Sequence, residues 1–351
     1  MAKKINLTSG SILAGNPITF TIQPEQYKNP SFHRVIVEVT YDKDGSYETI
    51  QLNVPITKEG NDVEIDVSSA LRVPLEDYEY TPQAATYPMV KWYIRAYDEY
   101  MDSNGEVHTN VGEQYYPQKP DASTGGATNL RCIIGAFSDI ERLTSGVSKD
   151  VTSLSRKPKS SPEMAVIGDE YAYTPAYAKA QSLATSSSLV APASRIETIT
   201  KEGLQTIGEH SVYAIPQSEA THRMNFRFIN SFGVLESINV PRSYSEKISI
   251  QSEEYTVAKI ETFNSFSRSA INKRNNRESW LFVTDPLDKS WLRWYLHEFL
   301  MSEHVWIDVN CNWIPCTLTS EEEITMMDRT NTNMYSVSFT AKLDIYGSPI
   351  L

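Results

Sequence analysis

The chain has 351 residues, enough for two domains of ordinary size that each bury their own core. Its 32 Lys and Arg stand against 44 Asp and Glu, a net charge of −12 that divides into −7 over residues 1–120, −1 over 121–225 and −4 over 226–351. That balance repels phosphate backbones and excludes stable binding of DNA or RNA, and no run approaches the ~20 apolar residues that a membrane-spanning helix needs.

The amino terminus, "MAKKINLTSGSILAGNPITF", has two lysines but no apolar stretch of the kind a signal peptide carries. Three cysteines, Cys132, Cys311 and Cys316, are too few and too odd in number for a disulfide framework. Synthesis in a reducing cytoplasm, without membrane insertion, is the expectation. The 20 Tyr, 6 Trp and 11 Phe recur inside alternating runs, and such ring side chains fit the pleated surface of a sheet.

Strands punctuated by turns fill the first ~115 residues. "FHRVIVEVTY" sets Val35, Val37 and Val39 on one face with Ile36 opposite, then turns at "DKDG" into "SYETIQLNV", because Asp-Gly tolerates the positive φ of a tight turn. "DVEIDV" is a third strand, and "SSALRVPL" a short turn or single helical coil. "MVKWYIRAYDEYM" and "EVHTNVGEQYY" form a second hairpin around "DSNG". Short strands at this spacing predict an immunoglobulin- or fibronectin-like sandwich over 1–120. In the second hairpin, Asp102, Asn104, Glu106, His108, Asn110 and Glu113 fall at positions one, three, five, seven, nine and twelve of a calcium loop. Val107 replaces the glycine of the sixth position and the flanks are strands, so a plain hairpin without metal is predicted.

Residues 121–222 change texture. "KPDASTGGATN" is rich in turn residues, "NLRCIIGAFSDIERLTSG" holds one short strand and a turn of helix, and the Ser-, Ala- and Pro-rich remainder lacks the apolar area to offset its own ordering entropy. It is predicted to be an irregular extended linker, or an arm that orders against a neighbour.

Strand signals return at 223. "FRFIN" and "VLESINV" flank "SFG", with Phe226 and Phe228 on one face, Val234, Ile238 and Val240 on one face of the second strand, and Gly233 free to take the left-handed conformation. "EKISIQ", "EYTVAKIETF" and "SWLFVTDP" extend the sheet. A helix over 286–301 is predicted, with Asp285 as its cap and Pro286 at its first position. It carries Trp291, Tyr295 and Phe299 on one line and Leu292, Leu296 and Leu300 on the next, a stripe broad enough to lie on a sheet. "MYSVSFTAKLDIY" alternates through Tyr335, Val337, Phe339, Ala341, Leu343 and Ile345. The unit 223–351 reads as a β-sandwich or open barrel with one flanking helix, in a chain that is mainly β.

Chemistry-bearing patterns are weak. There is no phosphate-cradling glycine loop, zinc helix or nucleophile elbow. Cys311 and Cys316, with His297 and His304 upstream, have poor zinc spacing and read as free thiols. Adjacent residues in a strand point to opposite faces, so Glu321, Glu322 and Glu323 read as a solvated strand entry rather than a paired acid. The aromatic cluster at 291–313 reads as core rather than a sugar platform. No cofactor or metal is expected, and no enzyme activity. One stretch stands apart: "FSRSAINKRNNRESW" gathers Arg268, Lys273, Arg274 and Arg277 in an acidic chain, as a basic finger for the acidic face of a neighbouring subunit would.

"LAGNPITFTI", "IDVSSALR", "FRFINSFGVLES" and "WLRWYLHEFLMSEHVWI…WIPCTL" together resemble tail or baseplate structural proteins of phages that infect Bacteroides-type bacteria. The carboxy-terminal unit is similar to the tube-like fold of tail-tube and distal-tail proteins. The resemblance implies rings, often sixfold, stacked around a channel, in which hairpins and arms of one subunit complete the sheet of the next, and a place in the virion beside other tail proteins. An acidic wall would not hold passing DNA. The alternative expectation is a binding module, a phage-borne adhesin whose amino-terminal sandwich recognises a surface glycan or protein.

Overall fold

The computed structural model describes residues 4–118 (apart from 29, 44 and 59), 130–145, 150–257 (apart from 221), 268–320 and 334–346, with the backbone alone at 43, 145, 243–257, 268–277, 345 and 346. The fold is mainly β, as expected. Among the described residues no helix is long and apolar enough to cross a membrane.

The amino-terminal part comprises β1 (Ile5–Ser9), β2 (Thr19–Ile22), β3 (Phe32–Lys43), β4 (Ser46–Pro55), β5 (Val63–Asp66), α1 (Ser68–Glu76), β6 (Met89–Met101), β7 (Val107–Tyr116), β8 (Leu130–Ile133) and a short helix α2 (Asp139–Ser145). The predicted hairpins are β3–β4 and β6–β7, each antiparallel, and β3 also pairs β6. A three-stranded sheet β1-β2-β5 and a five-stranded sheet built on β4-β3-β6-β7, with β8 on β6, share one core. Phe20 of the first meets Trp92 of the second edge-on, and Val35, Val37 and Val39 are buried between them. The predicted sandwich is matched in outline. The "SSALRVPL" turn is longer than expected: α1 is a nine-residue helix that continues through Pro74 and buries Ala70, Leu71 and Leu75.

Part of the stretch expected to be a linker folds. Residues 150–220 contain β9 (Glu163–Val166), β10 (Glu170–Tyr173), a 3-10 turn (Leu183–Ser188), β11 (Arg195–Thr198), β12 (Gly203–Ile207) and β13 (His210–Ile215). β10 pairs β11, and β13 joins β12 to β9. Tyr171, Tyr173, Ile199, Val212 and Ala214 form a small core of their own. The missing apolar area is supplied by neighbours: Val151, Leu154, Ala172 and Leu189 share a core with Ile12, Leu13, Tyr87 and Phe137 on one side and Ile229, Phe232, Leu235 and Trp306 on the other. Burial against other parts of the same chain offsets an ordering entropy that the stretch could not offset alone.

The carboxy-terminal part is a closed barrel, where the sequence had left a sandwich or an open barrel. Its strands are β14 (Arg223–Ile229), β15 (Leu235–Val257), β16 (Arg268–Val283), β17 (Val305–Val309), β18 (Asn312–Ser320) and β19 (Ser338–Tyr346), and they close in the order β14-β15-β16-β19-β18-β17. Phe226, Phe228, Ile238, Val240, Phe282, Phe339, Ala341 and Leu343 fill one core together with the predicted helix stripe. Phe299 packs edge-on against Phe226, Phe228 and Phe339. Val234 departs from its predicted companions and belongs to the shared core instead.

The helix starts later than its sequence implies. Leu287 exchanges backbone hydrogen bonds with Tyr335, so the chain is still extended there, and the cap is Asp288, whose Oδ1 accepts from the amides of Ser290 and Trp291. Asp285, the predicted cap, instead pairs with Arg223 at 2.7 Å. α3 (Lys289–Trp294) then widens into a π turn, Tyr295–Phe299, closed by the Leu300 amide on the Tyr295 carbonyl.

The β14–β15 connection is the meeting point of barrel and amino-terminal part. Asn230 Oδ1 accepts from the amides of Phe232 and Val234, Gly233 takes φ +73° as predicted, and the Ser231 carbonyl accepts from the Ala136 amide. Gly135 has φ +119°, and a Cβ there would lie 2.6 Å from the Phe232 Cα. Gly135→Ala is therefore expected to cost about 2 kcal/mol or more in urea unfolding, whereas Gly105→Ala, with open space around it at φ +80°, should lose only roughly 1 kcal/mol. Equal losses would mean the two parts do not interlock there.

Candidate assembly interface

β15 has 23 residues and β16 has 16, and they pair antiparallel from Arg242↔Phe282 out to Val257↔Arg268. Only their roots belong to the barrel. β14 pairs β15 no further than Pro241, and β19 pairs β16 from Val283 back to Arg277. Beyond those points, among the described residues, the two strands pair only with each other, as a ribbon that leaves the barrel. Register shifts at Arg242/Glu246 and Glu253/Glu254 mark bulges, which raise local twist. At the root the Arg242 guanidinium lies 3.8 Å over the Trp280 ring.

Of the four basic residues singled out in the sequence, Arg268, Lys273 and Arg274 lie on this ribbon, and Arg277 lies at its root, where it also pairs Tyr346 of β19. Arg268 is opposite Val257, Lys273 opposite Glu253, Arg274 opposite Ser252 and Arg277 opposite Ser249. The stretch read as a basic finger is strand, and its backbone is fixed by cross-strand pairing rather than by any apolar alternation of its own.

A second constellation was missed by sequence reasoning. The hairpin β14–β15 is buried on both faces, and the face turned away from the barrel core is polar. Arg227, fully buried, donates to the Pro82 carbonyl and to Glu170, each at 2.7 Å, while its guanidinium lies 3.9 Å over the Trp313 ring. One side chain thereby joins the amino-terminal part, the middle segment and the barrel. Asn225 donates to the Glu170 carbonyl, Asn239 to Asp169, and the Ala172 amide to Ser237 Oγ. Lys157 pairs with Glu163 at 2.8 Å and donates to the Tyr171 hydroxyl. Glu298 accepts from the Ser231 amide and from Arg156, which also pairs with Glu141.

Burial dominates the titration of this seam. It pushes Glu236 up to about 7 and Asp169 up to about 6, raises Glu163, and drives His210 down to about 3. Glu236 and Asp169 accept from the Asn230 and Asn239 side chains and Glu163 pairs with Lys157, so the arrangement clamps segments together.

Two cavities border the seam. One, of about 410 Å³, lies between β9 and the start of α3 and is walled by Met164, Ile238, Leu287, Trp291 and Tyr295. The other, of about 630 Å³, is an open cleft where Tyr78 and Tyr80 face His297, Met301 and His304. His297 and His304 line this cleft, Cys311 is exposed in the β17–β18 turn, and Cys316 is buried in the barrel core with its thiol pushed up to about 12. Trp291 and its aromatic neighbours are core, as predicted. Asp102, Glu106 and His108 do converge, their ligand atoms lying within 4.8 Å of one another, and hydrogen bonds led by the Glu106 amide hold Asp102 below its ordinary range. Glu321, Glu322 and Glu323 lie outside the described residues.

Comparison of the chain with protein-family models, with curated proteins and with solved structures found no match.

The seam sets a pH dependence. Glu236 binds its proton more tightly folded, near pH 7, than unfolded, near its usual 4.5, so its contribution is full below about pH 4.5 and is lost as pH rises through 7. Thermal stability is expected to fall between pH 5 and pH 8, and Glu236→Gln should remove on the order of 3 kcal/mol of that slope. His210 acts oppositely and only below its ordinary 6.5. An unchanged slope in the variant would contradict the assignment.

Proposed function

We propose that the chain is a non-enzymatic structural component of a phage tail or baseplate, which forms rings with copies of itself and meets other tail proteins in the virion. The observation that carries this reading is the ribbon of β15 and β16. A two-stranded hairpin is marginally stable by itself in water, and its outer edges carry unpaired backbone donors and acceptors that template pairing with another chain. The sequence resemblance to tail and baseplate proteins supports the same reading, as does the acidic balance, which suits a wall past which DNA moves. The arm contacts expected of the middle segment are made, for residues 150–220, within the chain itself, so the assembly contacts fall to the ribbon.

The test is charge reversal on the ribbon. Concentrated wild-type protein is expected to give rings in negative stain and a rise in light scattering, while Arg274→Glu/Arg277→Glu stays monomeric with an unchanged melting temperature. Normal particles from the variant would remove the ribbon from assembly. A wild-type monomer that binds on a glycan array would replace this reading with the adhesin.

A further inference from the structure

We propose that the cavity between β9 and α3 is the seat for the basic ribbon of a second copy of this chain. The inference rests on the assembly reading above and names the surface that the ribbon meets. The walls include the aromatic rings of Trp291 and Tyr295, and the lining contains three carboxylates, Glu163, Asp285 and Asp288, with no Lys, Arg or His. Ring faces attract a guanidinium or ammonium group, and carboxylates give it charge-assisted hydrogen bonds. Glu163 is already balanced by Lys157 at 2.8 Å and Asp285 by Arg223 at 2.7 Å. Asp288 is spent on backbone amides and neighbouring hydroxyls, which leave its negative charge in place and hold its carboxyl below the ordinary range. The mouth is therefore negative by about one charge, enough to orient a basic partner rather than to bind it tightly.

The chain itself offers the complementary element. Arg268, Lys273, Arg274 and Arg277 fall within ten residues of a protein whose net charge is −12. Those on the outer ribbon are held away from the cavity of their own chain. Arg274 precedes Val283, the last residue of β16, by nine positions, which is about 30 Å along a strand, and pairing with β15 holds it there. The occupant is a ribbon from elsewhere.

Cross-linking tests this in the full chain. Cys311→Ser removes the exposed thiol, since Cys132 and Cys316 are buried. In that background Met164→Cys, on the cavity wall, is mixed with Arg274→Cys at a concentration that gives particles, and a short bismaleimide is added. The expected result is a covalent heterodimer at least tenfold above either variant alone. Ser161→Cys, exposed at the same cavity, gives the same band should the Met164 variant fail to fold. Particles without the heterodimer, or an equal band from Tyr47→Cys on the distant strand β4, overturn the seat while assembly stands. If negative stain shows no particles at any concentration, the assembly reading fails and the seat fails with it.

Discussion

Closure of the barrel is the constraint on which the rest depends. In the order β14-β15-β16-β19-β18-β17 every strand has two neighbours, so the barrel's own hydrogen bonding is complete and presents no edge. β15 and β16 are much longer than the strands flanking them, and among the described residues their outer halves pair only with each other. The barrel thus fixes where the ribbon departs, and the Arg242–Trp280 stack stiffens that root. A rigid base and an under-partnered extension form a geometry suited to reaching another molecule.

The β14–β15 hairpin explains how three stretches of chain become one packed body. Its inner face, Phe226, Phe228, Ile238 and Val240, is apolar and belongs to the barrel core. Its outer face carries Asn225, Arg227, Ser237 and Asn239, which burial would make costly without partners. The partners come from the amino-terminal part, through Pro82, and from the middle segment, through Asp169, Glu170 and Ala172. Paired charges in such a seam add less net stability than apolar packing would, and their directional bonds fix how the segments sit. Apolar packing is supplied beside them by the shared core around Leu13, Tyr87, Leu154 and Leu235.

The apolar patterns were legible in the sequence. The Val35, Val37, Val39 alternation, the Phe226 and Phe228 pair and the Trp291, Tyr295, Phe299 stripe each bury the face that their period demands. What the period could not reveal is a second covered face. Asn225 and Arg227 alternate with Phe226 and Phe228 as solvent-facing side chains do, and only the docking of a distant segment buries them. The middle segment escaped because its strands are four to six residues long and its core is borrowed. The helix start was misplaced because Asp285-Pro286 and Asp288 both fit a cap, and the choice is made by a backbone bridge from Leu287 to Tyr335 that lies far off in sequence. The basic stretch was visible as charge but not as strand, since its conformation comes from pairing with residues 249–257.

Hydrogen exchange read by mass spectrometry, on monomer and on assembled particles, tests the central claim most directly. An under-partnered ribbon that docks on a sister molecule predicts fast exchange at 250–257 and 268–276 in the monomer, strong protection there in particles, and barrel amides that are slow in both. Ribbon amides that exchange as slowly as the barrel in the monomer, or that stay fast in particles, would contradict it.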